Sequence, residues 1–302
     1  MAKILVVGSI NMDLVVRVPH APAPGETVLG GDFETFPGGK GANQAVAAAR
    51  MGGEVTMVGR VGNDDFGNTL IHGLVEDKIK TTHVTKDSNA PTGIAMIAVA
   101  ADGENMIVVA SGANMQVSVE DVNKARELMR ETDLLLLQLE LPVEVVSAAV
   151  ELANAYGVPV VLNPAPGQRL AKSLLAGIEV ITPNENELAI LTGTQGIENG
   201  ILTLRAWGVK NLVVTLGPNG ARVVTETTDQ HLPAYEVTAV DTTAAGDAFN
   251  GALAVALAEG QSLLEAVRYG MAAGALATTR RGAQPSLPTR EAVVGFLAAN
   301  ER

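Results

Sequence analysis

Residues 241–251 read DTTAAGDAFNG, two carboxylates six positions apart around threonines, alanines and a glycine, running straight into the apolar stretch ALAVALAEG. Two kinds of chemistry suit that pattern. Asp247 in the first turn of a helix caps free backbone N–H groups and meets the favourable end of the helix dipole. Alternatively, Ala244, Ala245 and Gly246 are small so that an anion can approach their N–H groups, with Asp247 beside it as a general base. The spacing leaves both open, and what the rest of the chain brings to the same place decides between them.

A second candidate is FPGGKGANQA at residues 36–45. A phosphate-binding P-loop needs a glycine five positions before its Gly-Lys and a serine or threonine after it; those positions hold Glu34 and Gly41. The segment GRVGND likewise lacks the third glycine of a dinucleotide fingerprint, which speaks against a nicotinamide enzyme. Three glycines in four residues, opening a helix at Ala42, instead suggest backbone lying close to a ligand, with Asn43 offering an amide that both donates and accepts. Asn11, Asp13, Asn43 and Glu140 together supply the dense donors and acceptors that a polyhydroxylated ligand such as a sugar requires. Each alone also suits a cap or a turn.

Composition narrows the partners. No apolar run approaches the roughly 20 residues that span a bilayer, and the apolar stretch in MAKILVVGSINMD is too short for a signal peptide and has no small-residue cleavage site. A soluble, cytoplasmic protein is expected. The absence of cysteine excludes disulfides, thiolate metal sites and a cysteine nucleophile. A net charge of −12 argues against nucleic acid or an anionic membrane as partner. Phosphate, if bound, must be held by backbone N–H groups, a few local cations and metal ions.

The elements that would position these residues follow an α/β rhythm. KILVVGS, EVTMVGRVG, LLLLQLE, PVVLNP, VIT and NLVVTLG are apolar without alternation, as strands buried on both faces are. GANQAVAAARMG, VEDVNKARELMRE and VEVVSAAVELANAYG carry helical periodicity between them. A doubly wound parallel sheet between helices is the expected fold, with ligands beyond the carboxyl ends of its strands. The polar clusters GSINMD, LE at 139–140, PNENE and TLGPNG all fall at such ends. Residues 13–36 and 92–110 alternate more like antiparallel strands, the second with an Asp102-Gly103 hairpin signal, and are assigned to a small separate sheet that either supports packing or acts as a lid. A small-residue helix, the loop RGAQPSLP and a final helix close the chain.

GSINMD, PGGKGANQAVAAARMG, PNENE, TLGPNG, DTTAAGDAFNGAL and RRGAQPS, in this order, resemble the phosphofructokinase-B family of carbohydrate kinases over nearly the whole chain. The glycine-aspartate motif marks the family at large; GGKGANQA with GAQPS narrows the resemblance to its ribose-phosphorylating branch. The resemblance implies one kinase domain over 1–302, a Rossmann-like αβα sandwich with a β-sheet lid, ATP and Mg²⁺ as co-substrates, and activation by a monovalent cation such as K⁺.

Position by position, it implies that Asp247 takes the proton from a primary sugar hydroxyl and that Ala244, Ala245, Gly246 and Asp247 form the anion hole. Asn11, Met12, Asp13, Gly39, Lys40, Gly41, Ala42, Asn43 and Glu140 match sugar-binding positions. Asn184 and Glu187 match an Asn-x-x-Glu motif that places Mg²⁺ and phosphates. Thr215, Leu216, Gly217, Pro218, Asn219 and Gly220 match a nucleotide loop. Met271 stands near the adenine, where some relatives carry a polar residue. Asp241, Thr243, Ala277, Arg280, Gly282 and Ser286 match the monovalent-cation site. The stretch TGTQGIENGILTLRAWG is short for the family, so a trimmed helix is expected there.

The expected function is transfer of the ATP γ-phosphoryl group to the 5-hydroxyl of D-ribose. Deoxyribose, fructose, a ketodeoxy sugar acid or a nucleoside are alternative acceptors. A sugar-binding regulator without turnover is the non-enzyme alternative, which Asp247 beside an intact small-residue segment argues against. GIAMIAVA and NMIVVA are apolar on both faces, so if one face covers the sugar the other needs cover too, and a homodimer through the lids is expected.

Overall fold

Apolar runs that do not alternate in sequence become strands covered on both sides. The computed structural model describes residues 1–101 and 105–300. The first half runs β1 (Lys3–Val7), β2 (Asn11–Arg17), β3 (Phe33–Gly38), α1 (Lys40–Arg50), β4 (Glu54–Gly62), α2 (Asp65–Glu76), β5 (Lys80–Asp87), β6 (Gly93–Val99), β7 (Asn105–Ala110), α3 (Val119–Lys124), β8 (Leu134–Leu137) and α4 (Val143–Tyr156). There follow β9 (Val160–Leu162), α5 (Lys172–Leu175), β10 (Val180–Ile181), α6 (Glu185–Thr192), α7 (Ile197–Ala206), β11 (Asn211–Thr215), β12 (Ala221–Val224) and β13 (Asp229–Leu232). Three helices end the chain: α8 (Ala245–Ala258), α9 (Leu263–Thr278) and α10 (Arg290–Asn300).

Nine strands form one sheet in the order β13-β12-β11-β10-β9-β8-β1-β4-β5, parallel from β11 to β5 and antiparallel at β12 and β13. Successive residues point to opposite faces of a strand. Ile4, Val6, Leu134 and Leu136 therefore enter a core with α1, α8 and α9, while Leu5, Val7, Leu135 and Leu137 enter another with α3, α4, α6 and α7. The chain leaves β1 toward β4 on one side and returns to β8 on the other. The crevice outside the carboxyl ends of β1 and β8 is thus the topological switch point, where an open α/β sheet takes its ligand.

The small sheet runs β3-β2-β6-β7. It is mixed: β2 pairs antiparallel with β3 but parallel with β6, and β6 pairs antiparallel with β7. The Asp102-Gly103 hairpin signal lies outside the described residues. The helix expected over residues 119–131 divides into α3 and a 3₁₀ turn at Arg126–Arg130, in which i→i+3 hydrogen bonds place Val122, Ala125 and Met129 in one apolar cluster. The helix expected to be trimmed is the ten-residue α7. No helix among the described residues is long and apolar enough to cross a membrane.

Helices α1 and α8 meet through their smallest residues. A Cβ on Gly251 would run into the Ala47 methyl and lie 2.8 Å from Gln44 O and Ala48 N. That approach brings the start of α1 beside the start of α8, and the start of α1 lies at the switch point.

Candidate active site

The strand β2 begins at the switch point, and its alternation sorts residues 11–13. Asn11 and Asp13 share one face; Met12 turns to the other and joins the core. The structure thus separates the Met12 side chain from the polar pair. Asn11 is held by Asn114, whose Nδ2 donates to Asn11 Oδ1 at 2.7 Å. Asn114 also accepts from the Ile10 N–H at 2.9 Å, so the turn into β2 is fixed on both sides.

The glycines of PGGKG are small for the protein's own sake. A side chain at Gly38 would occupy the Asp13 carboxylate, and one at Gly41 would strike the Gly8 and Ser9 backbone. Gly39 has φ +86°, a conformation open to glycine, and caps α1. Their backbone approaches neighbouring chain, and Ala42 is buried in the core. What this packing presents to the cleft is Lys40, the first residue of α1. Its N–H donates to Glu140 Oε2 at 3.0 Å, and that oxygen also accepts from Ser9 Oγ at 2.5 Å.

Asp247 lies in the first turn of α8, buried. Asn43 Nδ2 donates to its Oδ2 at 2.9 Å and Gln44 Nε2 to its Oδ1 at 3.0 Å. Among the described residues, Asn43 Oδ1 is buried without a partner. The helix starts at Ala244, which holds φ 59° and ψ 11°, the left-handed region that alanine adopts at a cost. The N–H groups of Gly246 and Asp247 make no hydrogen bond among the described residues, and space is open above Gly246. Free N–H groups at a helix start beside a buried carboxylate are the combination the sequence left undecided.

Charges in the cleft perturb one another. Burial, reinforced by Glu140 and opposed by Lys40 and the two amide donors, raises the Asp247 carboxyl. Asp13 is pushed up to about 7 by burial, then by Glu140 and Asp247, with Lys40 opposing. Burial favours the neutral form of Lys40, but Asp247, Glu140, Glu187 and Asp13 outweigh it and hold the ammonium above its ordinary range. One cation thus serves four carboxylates.

Asn184 and Glu187 first of all cap α6. Asn184 Oδ1 accepts from the Glu187 N–H at 2.8 Å, and Glu187 Oε2 accepts from the Asn184 N–H at 2.9 Å. Burial raises the Glu187 carboxyl, which faces Lys40 and Asp247. The Thr215 N–H donates to Pro183 O at 3.0 Å, and Asn184 bridges to Thr215, so residues 215–220 adjoin the same helix start. Met271 is partly buried on α9 against the core.

Asp241 ties two loops together, its Oδ1 accepting from the Thr243 N–H and its Oδ2 from the Gly282 N–H, each at 2.9 Å. These donors outweigh burial and hold the Asp241 carboxyl below its ordinary range. Ala277 O accepts from the Arg280 N–H at 3.2 Å, and Ser286 Oγ donates to Ala283 O at 2.8 Å. One carboxylate with carbonyl and hydroxyl oxygens on apposed loops is a donor set suited to a hard monovalent cation. Among the described residues no three or more His, Asp or Glu side chains cluster to cage a metal.

The structure thus gathers Asn11, Asp13, Lys40, Asn43, Glu140 and Asp247, with Asn184 and Glu187 at the adjoining strand end. Sequence reasoning passed over Gln44, Gln138 and Asn163, which meet behind Asp247. Their signal was a glutamine inside each of two apolar runs, ANQAVAAA and LLLLQLE.

The model of the pfkB family carbohydrate kinases matches residues 1–290. The chain belongs to this family. It is 43% identical over 297 residues to the ribokinase of Haemophilus influenzae, covering 97% of each chain. It is 38% identical over 304 residues to the deoxyribokinase of Salmonella typhimurium, covering 99% of each. Among solved structures, Arabidopsis thaliana ribokinase complexed with ribose and ATP superposes with a TM-score of 0.90 at 34% identity, over 98% of this chain and 99% of that one.

Proposed function

We propose that this chain transfers the γ-phosphoryl group of MgATP to the 5-hydroxyl of D-ribose. The observation that carries the reading is Asp247, a buried carboxylate beside N–H groups that no described residue accepts from, at the left-handed start of α8. Each of its oxygens accepts one amide N–H, leaving a lone pair for the sugar O–H. Asp247 takes the hydroxyl proton as the sugar oxygen attacks the γ-phosphorus and the bond to the bridging oxygen of ADP breaks. The N–H groups of Gly246 and Asp247 meet charge on the transferred group, and such positioning and preorganisation carry most of the catalysis in phosphoryl transfer.

Asn11, Asp13, Asn43 and Glu140 hold the sugar, and Lys40 balances the carboxylates and meets the phosphoryl group. Residues 215–220 and Met271 take the nucleotide. Asn184 and the remaining oxygen of Glu187 would help hold the metal-bound phosphates, where Mg²⁺ would supply charge neutralisation. The likeness to a deoxyribokinase favours 2-deoxyribose as the second reading. The test is ADP release with ribose, 2-deoxyribose, fructose, a ketodeoxy sugar acid and a nucleoside, with ³¹P spectra to assign the product. Ribose is expected to give the highest kcat/KM and a 5-phosphate. Binding of ribose without ADP release would support the silent regulator instead.

Asp241, the carbonyls of Thr243, Ala277, Arg280 and Gly282, and Ser286 would hold a monovalent cation, whose charge would stiffen the loop entering α8. Activity is expected to rise when potassium replaces sodium at constant ionic strength, and Asp241→Asn is expected to blunt the rise. Equal rates in potassium, sodium and a bulky organic cation would refute it.

The small sheet is the proposed lid, and a second copy of this chain is its proposed cover. All of β7 is exposed, with Ile107 at 53% and Val108 at 59%, and β7 is the edge strand of its sheet among the described residues. Light scattering is expected to give a dimer at micromolar concentration and a monomer for Val108→Glu. A wild-type monomer would count against it.

A further inference from the structure

Behind Asp247 the buried amides form a directed circuit. Gln44 Nε2 donates to Asp247 Oδ1 and to Asn163 Oδ1, both at 3.0 Å. Its carbonyl therefore faces away from the carboxylate, where Gln138 Nε2 donates to it at 2.6 Å. Asn163 Nδ2 donates to Thr182 O at 3.3 Å, Thr182 Oγ1 to Asn250 Oδ1 at 2.6 Å, and Asn250 Nδ2 to Gly246 O at 2.8 Å. The circuit starts at the Asp247 carboxylate and closes on the carbonyl of the residue before it, passing through α1, the ends of β9 and β10, and α8. Gln44, Gln138, Thr182 and Asn250 are at most 1% exposed, so bulk water has no access to replace a lost member.

An ionised carboxylate only accepts, which fixes the orientation of the Gln44 amide, and Gln138 reinforces it from behind. The bare Gly8 makes room for this: a side chain there would run into Gln138 Oε1. Asn43 and Gln44 divide the work. Asn43 keeps a carbonyl oxygen that no described residue engages, whereas both ends of the Gln44 amide are engaged by the protein.

We propose that Gln44 is the positioning residue of the base: oriented by Gln138, it holds Asp247 Oδ1 so that the carboxylate's remaining lone pairs face the sugar hydroxyl. This rests on Asp247 being the base. The charged groups facing Asp247 are Lys40 of α1, Asp13 of β2, Glu140 after β8 and Glu187 of α6, and a change at Gln44 leaves all four in place. Loss of the Gln44 N–H removes a donor that favours the ionised form.

Gln44→Met keeps the length of the side chain and loses the amide. A hydrogen bond to a charged group corresponds to roughly a 10- to 100-fold effect, so kcat is expected to fall by about that factor. The acid limb of the kcat profile, which reports the enzyme–substrate complex, is expected to move up by about one pH unit or more. The KM for ribose and its calorimetric affinity are expected to stay within about threefold, because Gln44 has no group left for the sugar. Gln138→Met, which leaves Gln44 present but free to reverse its amide, is expected to move the acid limb the same way by less, and it carries the test if Gln44→Met does not fold. An unmoved acid limb in both variants, or ribose affinity falling in step with kcat, would overturn the proposal. Asp247→Asn is measured alongside: if it keeps turning over, the base assignment has failed; if it is inactive while the acid limb of the Gln44 variant stays put, only the positioning role has.

Discussion

Asp247→Asn is expected to fold and to lose about 10²- to 10⁴-fold in turnover, the range that a positioned general base supplies. The substitution keeps the shape of the side chain and one accepting oxygen, so one of the amides of Asn43 and Gln44 still finds a partner. The other then faces the new NH₂ group, donor against donor, a local cost. Opposing that cost, the variant no longer buries a carboxylate whose pKa the protein raises. Thermal unfolding at pH 8 should therefore lie close to wild type, and circular dichroism should be unchanged. Ribose affinity should fall far less than turnover, because Asn11, Asp13, Asn43 and Glu140 remain. Wild-type turnover in the folded variant would leave Asp247 as a helix cap and nothing more.

Asp13→Asn is expected to lose about 10²- to 10³-fold in sugar affinity while becoming more stable. No hydrogen bond among the described residues reaches the Asp13 carboxylate, and burial beside Glu140 and Asp247 pushes its pKa up to about 7 from 3.8. Two sugar hydroxyls would satisfy it, each worth what a hydrogen bond to a charged group is worth. The stability consequence follows from the direction of the shift. Below pH 3.8 the carboxyl is neutral in both folded and unfolded chains and costs nothing. Between 3.8 and about 7 the unfolded chain gives up its proton and the folded chain keeps it, so stability falls as pH rises; above 7 the cost is complete, at about 4 kcal/mol. Calorimetric unfolding at pH 8 should show Asp13→Asn melting several degrees above wild type, the gap closing toward pH 4. Ribose binding should tighten as pH rises through 7 and release protons below it. A variant that melts below wild type at pH 8, or binds ribose as well, would refute this account of Asp13.

The parallel sheet was legible because strands buried on both faces, such as LLLL at 134–137, cannot alternate. The end of the sheet that carries the candidate site was legible because polar clusters followed those strands. What escaped has physical reasons. The parallel pairing of β2 with β6 joins segments far apart in sequence, and alternation within a strand says nothing about its partner's direction. Asn184 and Glu187 were read toward the nucleotide alone, although the same spacing is a capping box. The glycines of PGGKG were read as backbone lying close to a ligand; that Gly38 and Gly41 also make room for Asp13 and for the Gly8 and Ser9 backbone was not legible from their spacing. Gln44 and Gln138 were taken with their apolar neighbours, and only the packing of α1 on α8 shows them facing a carboxylate.

That packing bears on how the protein can be engineered. Filling space between helices is a standard route to thermostability, and the alanine- and glycine-rich seam of α1 and α8 invites it. A methyl group at Gly251 has no free volume: it meets the Ala47 methyl and crowds the Gln44 backbone carbonyl. The helices would have to part, and the amide donors of one would withdraw from the carboxylate of the other. A screen that scores folding alone would register a tolerable loss there, while the spacing on which proton transfer depends would already have opened.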